Sequence, residues 1–522
     1  MALKKEKVSM GKKGFFYKFL DFIETVGNKL PHPVTLFAIF CLAIMVISHL
    51  CALAGVSVEF TMIDRKTLET STQNIKAVSL LTTEGIRFMF TSAVSNFTGF
   101  HPLGTVLVAM LGVGVAEGTG FISALLKKIV VNTPRKLVTA MVVFLGIMSN
   151  IASDAGYVVL VPLGAIIFLS FKRHPLAGLA AAFAGVSGGF SANLLIGTID
   201  PLLGGITTEA AKLIDSSYSV TPMANYYFMF VSTFLITIVG TLVTEKIVEP
   251  RLGVYKGSSD VDVHDISKEE SRGLMFAGIS TLVFIGVIML MLLPANSILR
   301  DPQTQELFGH SPFVSSIVFI IMLFFLIPGV AYGIAAGTVK NDKDVVKAMS
   351  SAMSTMGGYL VLSFVAAQFI KYFSYTNLGI ILASKGASFL DAIGFKGLPL
   401  IISFIIVAGF INLFIGSASA KWAIMAPVFV PMLMKLGFSP EFTQVAYRIG
   451  DSTTNIISPL MSYFAVIVAF ANKYDEEAGI GTLISTMLPY SLCFLLGWTI
   501  LLIFWFFIGA PIGLDSYIFL AQ

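Results

Sequence analysis

Charged and amide side chains interrupt the long apolar stretches of this 522-residue chain at four places. The stretch YRIGDSTTNIISP, residues 447–459, contains Arg448, Asp451 and Asn455. If it is helical, these side chains share one face, because they are three and four residues apart. An ionised side chain at a bilayer centre costs on the order of 2.5–3.5 kcal/mol, so such groups favour a cavity and a partner. Pro459 has no amide hydrogen, which predicts that the Asn455 carbonyl loses its helical partner.

The other three interruptions combine small residues with oxygen-bearing or charged side chains. They are SNIASD (149–154), with Ser149, Asn150 and Asp154; GGFSANLLIGTIDP (188–201), with Asn193 and Asp200; and GSASAKWAIMAP (416–427), with Ser419, Lys421 and Trp422. Broken helices in secondary transporters bind ions and anionic substrates in this way. The aspartates Asp451, Asp200 and Asp154 are therefore candidate proton carriers. Candidate sodium ligands are Ser149, Asn150, Asn193, Ser419 and Asn455.

Each of these residues also has a purely structural alternative. Arg448 and Asp451 can form an ion pair that only stabilises the fold. Asp200 can cap a crossing, and Trp422 can be a packing residue. The three asparagines can satisfy the backbone of broken helices. Lys421 can extend to an aqueous path without touching a ligand.

The composition indicates a polytopic membrane protein. The chain is 56% hydrophobic and 12% charged, against roughly 25% charged in a soluble domain. Nine apolar stretches predict crossings near residues 34–56, 102–126, 175–200, 223–244, 273–294, 314–337, 352–377, 440–470 and 481–508. Two longer stretches, about 137–171 and 397–435, are interrupted in the middle and predict re-entrant helical hairpins. The predicted fold class is therefore all-α.

The distribution of basic residues predicts the orientation. Most of the 34 Lys and Arg residues fall in segments that the nine crossings place on one side, and the positive-inside rule assigns that side to the cytoplasm. Residues 1–33 then form a cytoplasmic amphipathic N-terminus, and residues 245–272 a cytoplasmic linker. The linker separates a first membrane half (34–244) from a second (273–510). The C-terminal tail, residues 511–522, is predicted to be external, and residues 57–79 and 295–312 to be exposed loops.

Two pairs of short motifs relate the halves. FLGIMS (144–149) resembles FIGSAS (414–419), and GGFSANLL (188–195) resembles GDSTTNII (450–457), in the same order. Because the two hairpins open to opposite sides, the pairs predict an inverted repeat with a site at the midplane.

The motifs that the sequence lacks limit the chemistry. It has no Gly-x-x-x-x-Gly-Lys-Ser/Thr phosphate loop and no His-Glu-x-x-His metal motif, so we expect no cofactor and energy from a proton or sodium gradient. GVSGG (185–189) matches the Gly-x-Ser-x-Gly pattern and leaves a rival open, an intramembrane serine hydrolase with Ser187 as nucleophile. We expect no enzymatic activity and no nucleic-acid partner.

Long blocks resemble the p-aminobenzoyl-glutamate transporter (AbgT) family. They include LPHPVTLF (30–37), FTGFHPLGTVLV (97–108), RHPLAGLAAAFAGVSGG (173–189), GTIDPLL (197–203), VTEKIVEP (243–250), GSASAKWAIMAPVFVPML (416–433) and AYRIGDSTTNIISPLMSYF (446–464). The resemblance implies a bowl-shaped homodimer in a bacterial cytoplasmic (inner) membrane, with nine crossings and two re-entrant hairpins in each protomer. Lys421 stands where the family pattern leads us to expect a neutral residue.

The resemblance also implies a function. Such transporters import p-aminobenzoyl-glutamate or export sulfonamide antimetabolites and p-aminobenzoate. The transport residues that it implies are Asp200, Ser419, Trp422, Pro440, Arg448, Asp451 and Pro459. A substrate ring would stack on Trp422, a carboxylate would pair with Arg448, and Asp451 would compensate Arg448 in the empty site. A transporter of another organic anion, such as a dicarboxylate, remains an alternative.

Overall fold

A computed structural model describes residues 31, 33–63, 70–131, 133–152, 156–255, 257, 266–294, 296–307, 311–461, 463–476 and 478–520. Asp154, most of the predicted N-terminal segment and residues 258–265 of the predicted linker lie outside the described residues.

Helices make up most of the described chain. In order, the elements are α1 (Pro33–Leu53), β1 (Ser57–Ile63), β2 (Thr70–Lys76), α2 (Thr83–Thr98), α3 (His101–Gly118), α4 (Phe121–Val131), α5 (Val138–Ser149), α6 (Val161–Ser170), α7 (Pro175–Phe183), α8 (Ile199–Ala211), α9 (Tyr226–Val243), α10 (Glu249–Leu252), α11 (Lys268–Leu292), α12 (Pro312–Ser315), α13 (Ile317–Ala336), α14 (Asp342–Thr355), α15 (Gly357–Tyr375), α16 (Leu378–Ala392), α17 (Gly397–Asn412), α18 (Ala418–Lys435), α19 (Pro440–Asn455), α20 (Phe464–Ala471) and α21 (Ile480–Ile508). Short 3₁₀ turns cover Arg135–Leu137 and Asn150–Ala152, and π-helical turns cover Gly156–Leu160, Ala184–Gly188 and Thr244–Val248.

Six helical stretches in the described residues are long and apolar enough to cross a membrane. They are Pro33–Leu53, Thr83–Gly118, Tyr226–Leu252, Lys268–Leu292, Ile317–Ala336 and Ile480–Ile508. The pair α14 and α15, which bends by 46°, gives a seventh span if it is counted as one. The two other predicted crossings, 175–200 and 440–470, are interrupted. Helical structure in the first ends at Gly188, beside a second glycine, and helix α19 in the second ends at Asn455, before Pro459.

The first predicted hairpin consists of two short helices. Helix α5 has 12 residues and α6 has 10, which gives lengths of about 18 and 15 Å at 1.5 Å per residue. A bilayer core is about 30 Å thick, so neither helix crosses it alone. The chain between them contains a 3₁₀ turn and a π-helical turn.

The second predicted hairpin has longer arms. Helix α17 has 16 residues and α18 has 18, and residues 413–417 connect them. Helix α18 begins where the side chain of Ser417 accepts a hydrogen bond from the Ala420 amide, as N-cap residues do. It continues through Pro427 and Pro431. The sequence GSASAKW is therefore divided between a nonhelical connection and the first turn of α18.

Residues 57–79, which we expected to form an exposed loop, contain an antiparallel hairpin. Strands β1 and β2 pair from Ser57 with Lys76 to Ile63 with Thr70. The prediction was wrong because we did not weigh the alternation of polar and apolar residues in β1, which is a strand pattern. The hairpin lies against the start of α16, since the side chain of Asn377, the residue before that helix, donates to the Lys76 carbonyl.

In each half of the chain, glycines bring the first arm of the hairpin into backbone contact with the interrupted crossing that follows it. A methyl group added at Gly146 of α5 would lie 2.8 Å from the Cα atom of Gly185. A methyl group at Gly450 of α19 would overlap the Ile405 carbonyl oxygen of α17 and lie 2.9 Å from the Gly409 amide nitrogen. Glycine at these positions allows a closer approach than any other residue.

Candidate functional site

Helix α19 carries most of the predicted site and is buried along its whole length. Pro440 is its first residue, and the Ser439 side chain caps it by accepting from the Phe442 amide. Pro is well suited to this position because the first amides of a helix have no intrahelical partner. Pro459 lies in the turn after the helix. We predicted that Pro459 leaves the Asn455 carbonyl without a partner. Instead, this carbonyl accepts a hydrogen bond of 3.2 Å from the Ser458 amide.

Arg448 pairs with Asp200 from the first half of the chain. Its Nη1 lies 2.7 Å from Asp200 Oδ1, and both side chains are nearly buried. The second Asp200 oxygen accepts a hydrogen bond of 2.7 Å from the Gly197 amide, so the carboxylate is fixed by its own loop. We predicted Asp451 as the compensating charge for Arg448. That prediction was wrong, because a carboxylate from another helix reaches the guanidinium and Asp451 has a different partner.

The other edge of Arg448 is much less occupied. Nη2 contacts the Ser191 carbonyl at 3.4 Å. Within the described residues, Nε and the Ser191 hydroxyl have no hydrogen-bond partner. The Nε and Nη2 donors of an arginine form a fork that matches a carboxylate. Arg448 thus has one edge held by Asp200 and a second edge available to a ligand.

Lys421 is the partner of Asp451. Its Nζ lies 2.5 Å from Asp451 Oδ1 and also donates to Asn412 Oδ1. Lys421 is 0% exposed and Asp451 1%, so Lys421 does not extend to an aqueous path as we had expected. An ammonium without a counter-charge is too costly to bury, and the Asp451 carboxylate lies close enough to Lys421 to compensate it.

Asn412, the last residue of α17, joins the two arms of the second hairpin to α19. Its amide nitrogen lies 2.8 Å from the Asp451 carbonyl, 2.9 Å from Thr454 Oγ1 and 2.8 Å from Asn455 Oδ1. These contacts give the buried Asn455 side chain a protein partner at the end of α19.

Trp422 is fully buried and already stacked. Its ring lies on Tyr447, with centroids 4.3 Å apart and an interplanar angle of 25°. Its Nε1 donates to Thr207 Oγ1 at 2.9 Å, and Thr207 also contacts Gln444. A substrate ring cannot stack on Trp422 in this conformation, because the indole is 0% exposed.

The asparagines of the first half converge on one carbonyl. Asn150 and Asn193 both donate to the Ile147 oxygen, at 3.1 and 3.2 Å. Ser149 donates to the Gly146 carbonyl, and Asn150 Oδ1 is buried without a partner among the described residues. In the second half, the Ser419 hydroxyl lies 3.4 Å from that of Ser417. Ser419 thus stays near the start of α18, with Lys421 and Trp422.

A small cavity lies at the Arg448–Asp200 pair. Its volume is about 10 Å³, which is room for about one water molecule. Its lining residues are Ser191, Asn193, Leu195, Ile196, Asp200, Pro222, Tyr226, Met229 and Arg448. The cavity is therefore too small for a substrate, and a larger ligand requires the surrounding elements to move.

The similarity of the chain to known proteins shows its family. A model of the AbgT transporter family matches residues 18–520. The chain belongs to the AbgT family. It is 40% identical over 500 residues to the p-aminobenzoyl-glutamate transport protein of Escherichia coli (strain K12), across 96% of this chain and 97% of that protein.

Two solved structures of transporters share the fold. The YdaH transporter of Alcanivorax borkumensis is 46% identical, with a TM-score of 0.85 over 92% of this chain and 100% of the other. MtrF of Neisseria gonorrhoeae, described as illuminating a class of antimetabolite efflux pumps, is 50% identical, with a TM-score of 0.88 over 94% of this chain and 98% of the other. The protein is thus a membrane transporter.

Several buried polar residues of this AbgT protein carry no motif that the sequence reveals. Asn412, Thr207 and Gln444 were not recognised because single amides and hydroxyls in apolar helices are common. Glu209 was also missed. It is 3% exposed in α8 and pairs with Lys212 and Lys371 at 3.2 and 3.0 Å. A charged residue in the TTEAAK run is a signal that could have been followed.

The contacts of Ser187 differ from those of a serine nucleophile. It is fully buried, and its hydroxyl contacts Met461 Sδ at 3.2 Å. A thioether is a weak acceptor and does not take a proton as a general base does. The geometry gives the hydrolase alternative no support.

Proposed function

We propose that this AbgT protein is an ion-gradient-driven transporter of p-aminobenzoyl-glutamate or related p-aminobenzoate and sulfonamide compounds in a bacterial inner membrane. The observation that carries the proposal is the edge of Arg448 where Nε has no partner among the described residues and Nη2 makes one long contact, buried beside a small cavity. A carboxylate is the group that this edge fits best. The substrate class follows the name of the Escherichia coli relative.

The mechanism that we propose begins with recognition of a carboxylate by Arg448. Asp200 holds Nη1 and fixes the plane of the guanidinium, so the free edge is preorganised. Because the cavity has room for about one water molecule, the substrate enters only when the interrupted elements around it separate. Asp200 and Asp451 are the charged candidates for coupling, and protonation or ion binding at either would loosen its partner. Asp154 remains a further candidate outside the described residues.

We propose nine crossings, two re-entrant hairpins, a cytoplasmic N-terminus and a homodimer as the assembly. Seven long or bent spans support the count, and the two interrupted crossings complete it. The short lengths of α5 and α6 support re-entry of the first hairpin.

The inverted repeat is supported by element order and glycine contacts more than by the motif pairs. In each half a hairpin precedes an interrupted crossing, and glycines join the first arm to that crossing, Gly146 with Gly185 and Gly450 with Gly409. FLGIMS ends α5, whereas FIGSAS spans the connection before α18. The motifs therefore do not occupy equivalent positions.

Flux in proteoliposomes tests the proposed function. Labelled p-aminobenzoyl-glutamate, a sulfonamide and an unrelated dicarboxylate are supplied separately, under an imposed proton gradient and then a sodium gradient. We expect gradient-driven flux of the aminobenzoyl compound or the sulfonamide beyond equilibrium. Flux of the dicarboxylate alone would favour the organic-anion alternative. Flux that never exceeds equilibrium would indicate a channel.

A further inference from the structure

Lys421 carries a positive charge at a position where the helix itself disfavours one. It is the fourth residue of α18, and the N-terminal end of a helix has partial positive charge that repels a cation. It is also fully buried. Its retention therefore depends on its acceptors and not on the helix that carries it.

Oxygen acceptors from two other elements converge on the Lys421 ammonium. Asp451 Oδ1 comes from α19 and Asn412 Oδ1 from the end of α17. The ring of Tyr447 covers a third side, with its centroid 5.4 Å from Nζ, an arrangement that attracts a cation. Oxygen ligands at the ends of broken helices also coordinate sodium in secondary transporters.

The Lys421 ammonium cannot leave its position as a dissolved ion can. Lys421 and Asp451 are 0% and 1% exposed, and the cation is covalently attached to α18. We propose that Lys421 is a built-in cation that occupies a coupling-ion position beside Asp451, and that this position accepts sodium only when the lysine is removed. The inference rests on the proposed function, since it concerns the coupling of that transport.

The built-in cation has a consequence for coupling in the wild-type protein. Asp451 keeps a fixed counter-charge whatever the ion composition outside. Because Lys421 already compensates Asp451, this position adds no sodium dependence to transport. Of the two buried ion pairs in the described site, Arg448–Asp200 is then the pair whose carboxylate can exchange its partner.

Lys421→Ala tests the inference, because it leaves the Asp451 carboxylate and the Asn412 oxygen facing a space of side-chain size. Thermal stability in detergent and flux in proteoliposomes are measured in sodium chloride and in potassium chloride. We expect Lys421→Ala to lose flux and stability in potassium and to recover both in sodium. The difference between sodium and potassium should be larger for Lys421→Ala than for wild type. Lys421→Ser, which adds an oxygen ligand, should respond to sodium in the same direction.

Two controls separate the inference from its alternatives. Lys421→Arg retains a cation and should give no gain in sodium response. Lys421→Ala combined with Asp451→Asn removes both charges and should give none either. A folded Lys421→Ala that ignores sodium would overturn the inference, and so would failure of the alanine and serine variants to fold even in sodium. Absence of any wild-type flux would instead contradict the proposed function.

Discussion

Arg448 and Lys421 each carry a buried positive charge against a carboxylate from another helix. Removing two charges from water costs several kcal/mol per ion, and a hydrophobic pair of the same volume is often at least as stable. Stability alone therefore does not explain the Arg448–Asp200 and Lys421–Asp451 pairs. Their positions at the interrupted elements are explained if Arg448 binds the substrate and Lys421 replaces an ion.

Loss of Arg448 should destabilise the protein through Asp200. Arg448→Ala leaves a buried carboxylate without its partner, and we expect the free energy of unfolding to fall by about 3–5 kcal/mol. Arg448→Ala with Asp200→Asn should recover most of this loss, because no buried charge remains. Denaturation of the purified protein in detergent measures both. Equal stability of Arg448→Ala and wild type would show that the pair is not formed.

The hydrogen bond between Trp422 and Thr207 should be coupled energetically. Trp422→Phe keeps a ring beside Tyr447 but removes the Nε1 donor, and Thr207→Val removes the acceptor. Each change should cost about 0.5–1.5 kcal/mol, and the double variant should cost less than the sum. A double-mutant cycle on unfolding free energies measures the coupling. Additive costs would contradict a direct bond.

At the scale of elements, the interrupted helices were predictable and their partners were not. Ionised side chains inside apolar stretches predicted that Asp200, Arg448 and Asp451 have partners at the interrupted elements, because such groups are costly to bury alone. The spacing of Arg448 and Asp451 placed them on one face of one helix. It could not reveal that each finds its counter-charge on a different helix, since that depends on packing across the chain.

Other features of the fold escaped the sequence for different reasons. Apolar runs located the long spans, but they missed helix α16, which lies between a predicted crossing and the second predicted hairpin. Strands β1 and β2 form where hydropathy shows only a polar connection. The broken course of residues 440–470 was anticipated by Pro459, yet the nearby Ser458 amide satisfies Asn455, which no motif predicts.

The close contact of α17 with α19 should depend on Gly450. Gly450→Ala places a methyl group against the Ile405 carbonyl, and overpacking of this kind costs about 1–3 kcal/mol. We expect reduced flux and a lower unfolding temperature. Gly278→Ala in α11 is the matched control, because an added methyl there meets no atom within 4 Å. Equal effects of the two substitutions would exclude a specific role for the glycine contact.

At the scale of the whole molecule, the proposed orientation sets which loops face the cytoplasm. Residues 296–307 join α11 to the following spans on the proposed external side, and the start of α14 lies on the proposed cytoplasmic side. Gln303 and Lys343 are exposed in these two places. The positions therefore report the orientation without disturbing a buried contact.

Cysteine labelling of intact cells should distinguish these two faces. In a background where Cys41, Cys51 and Cys493 are replaced by serine, Gln303→Cys should react with a membrane-impermeant maleimide. Lys343→Cys should react only after the cells are opened, because positive loops remain in the cytoplasm. The reverse pattern would invert the proposed topology.

Equilibrium binding of labelled p-aminobenzoyl-glutamate to purified wild type and Arg448→Lys tests the central claim most directly. Lysine keeps a positive charge for Asp200, but it lacks the planar fork that a carboxylate needs. We predict that Arg448→Lys retains most of the unfolding free energy of wild type and loses substrate binding. Binding of the lysine variant with wild-type affinity would contradict the assignment of the free edge of Arg448 as the substrate site.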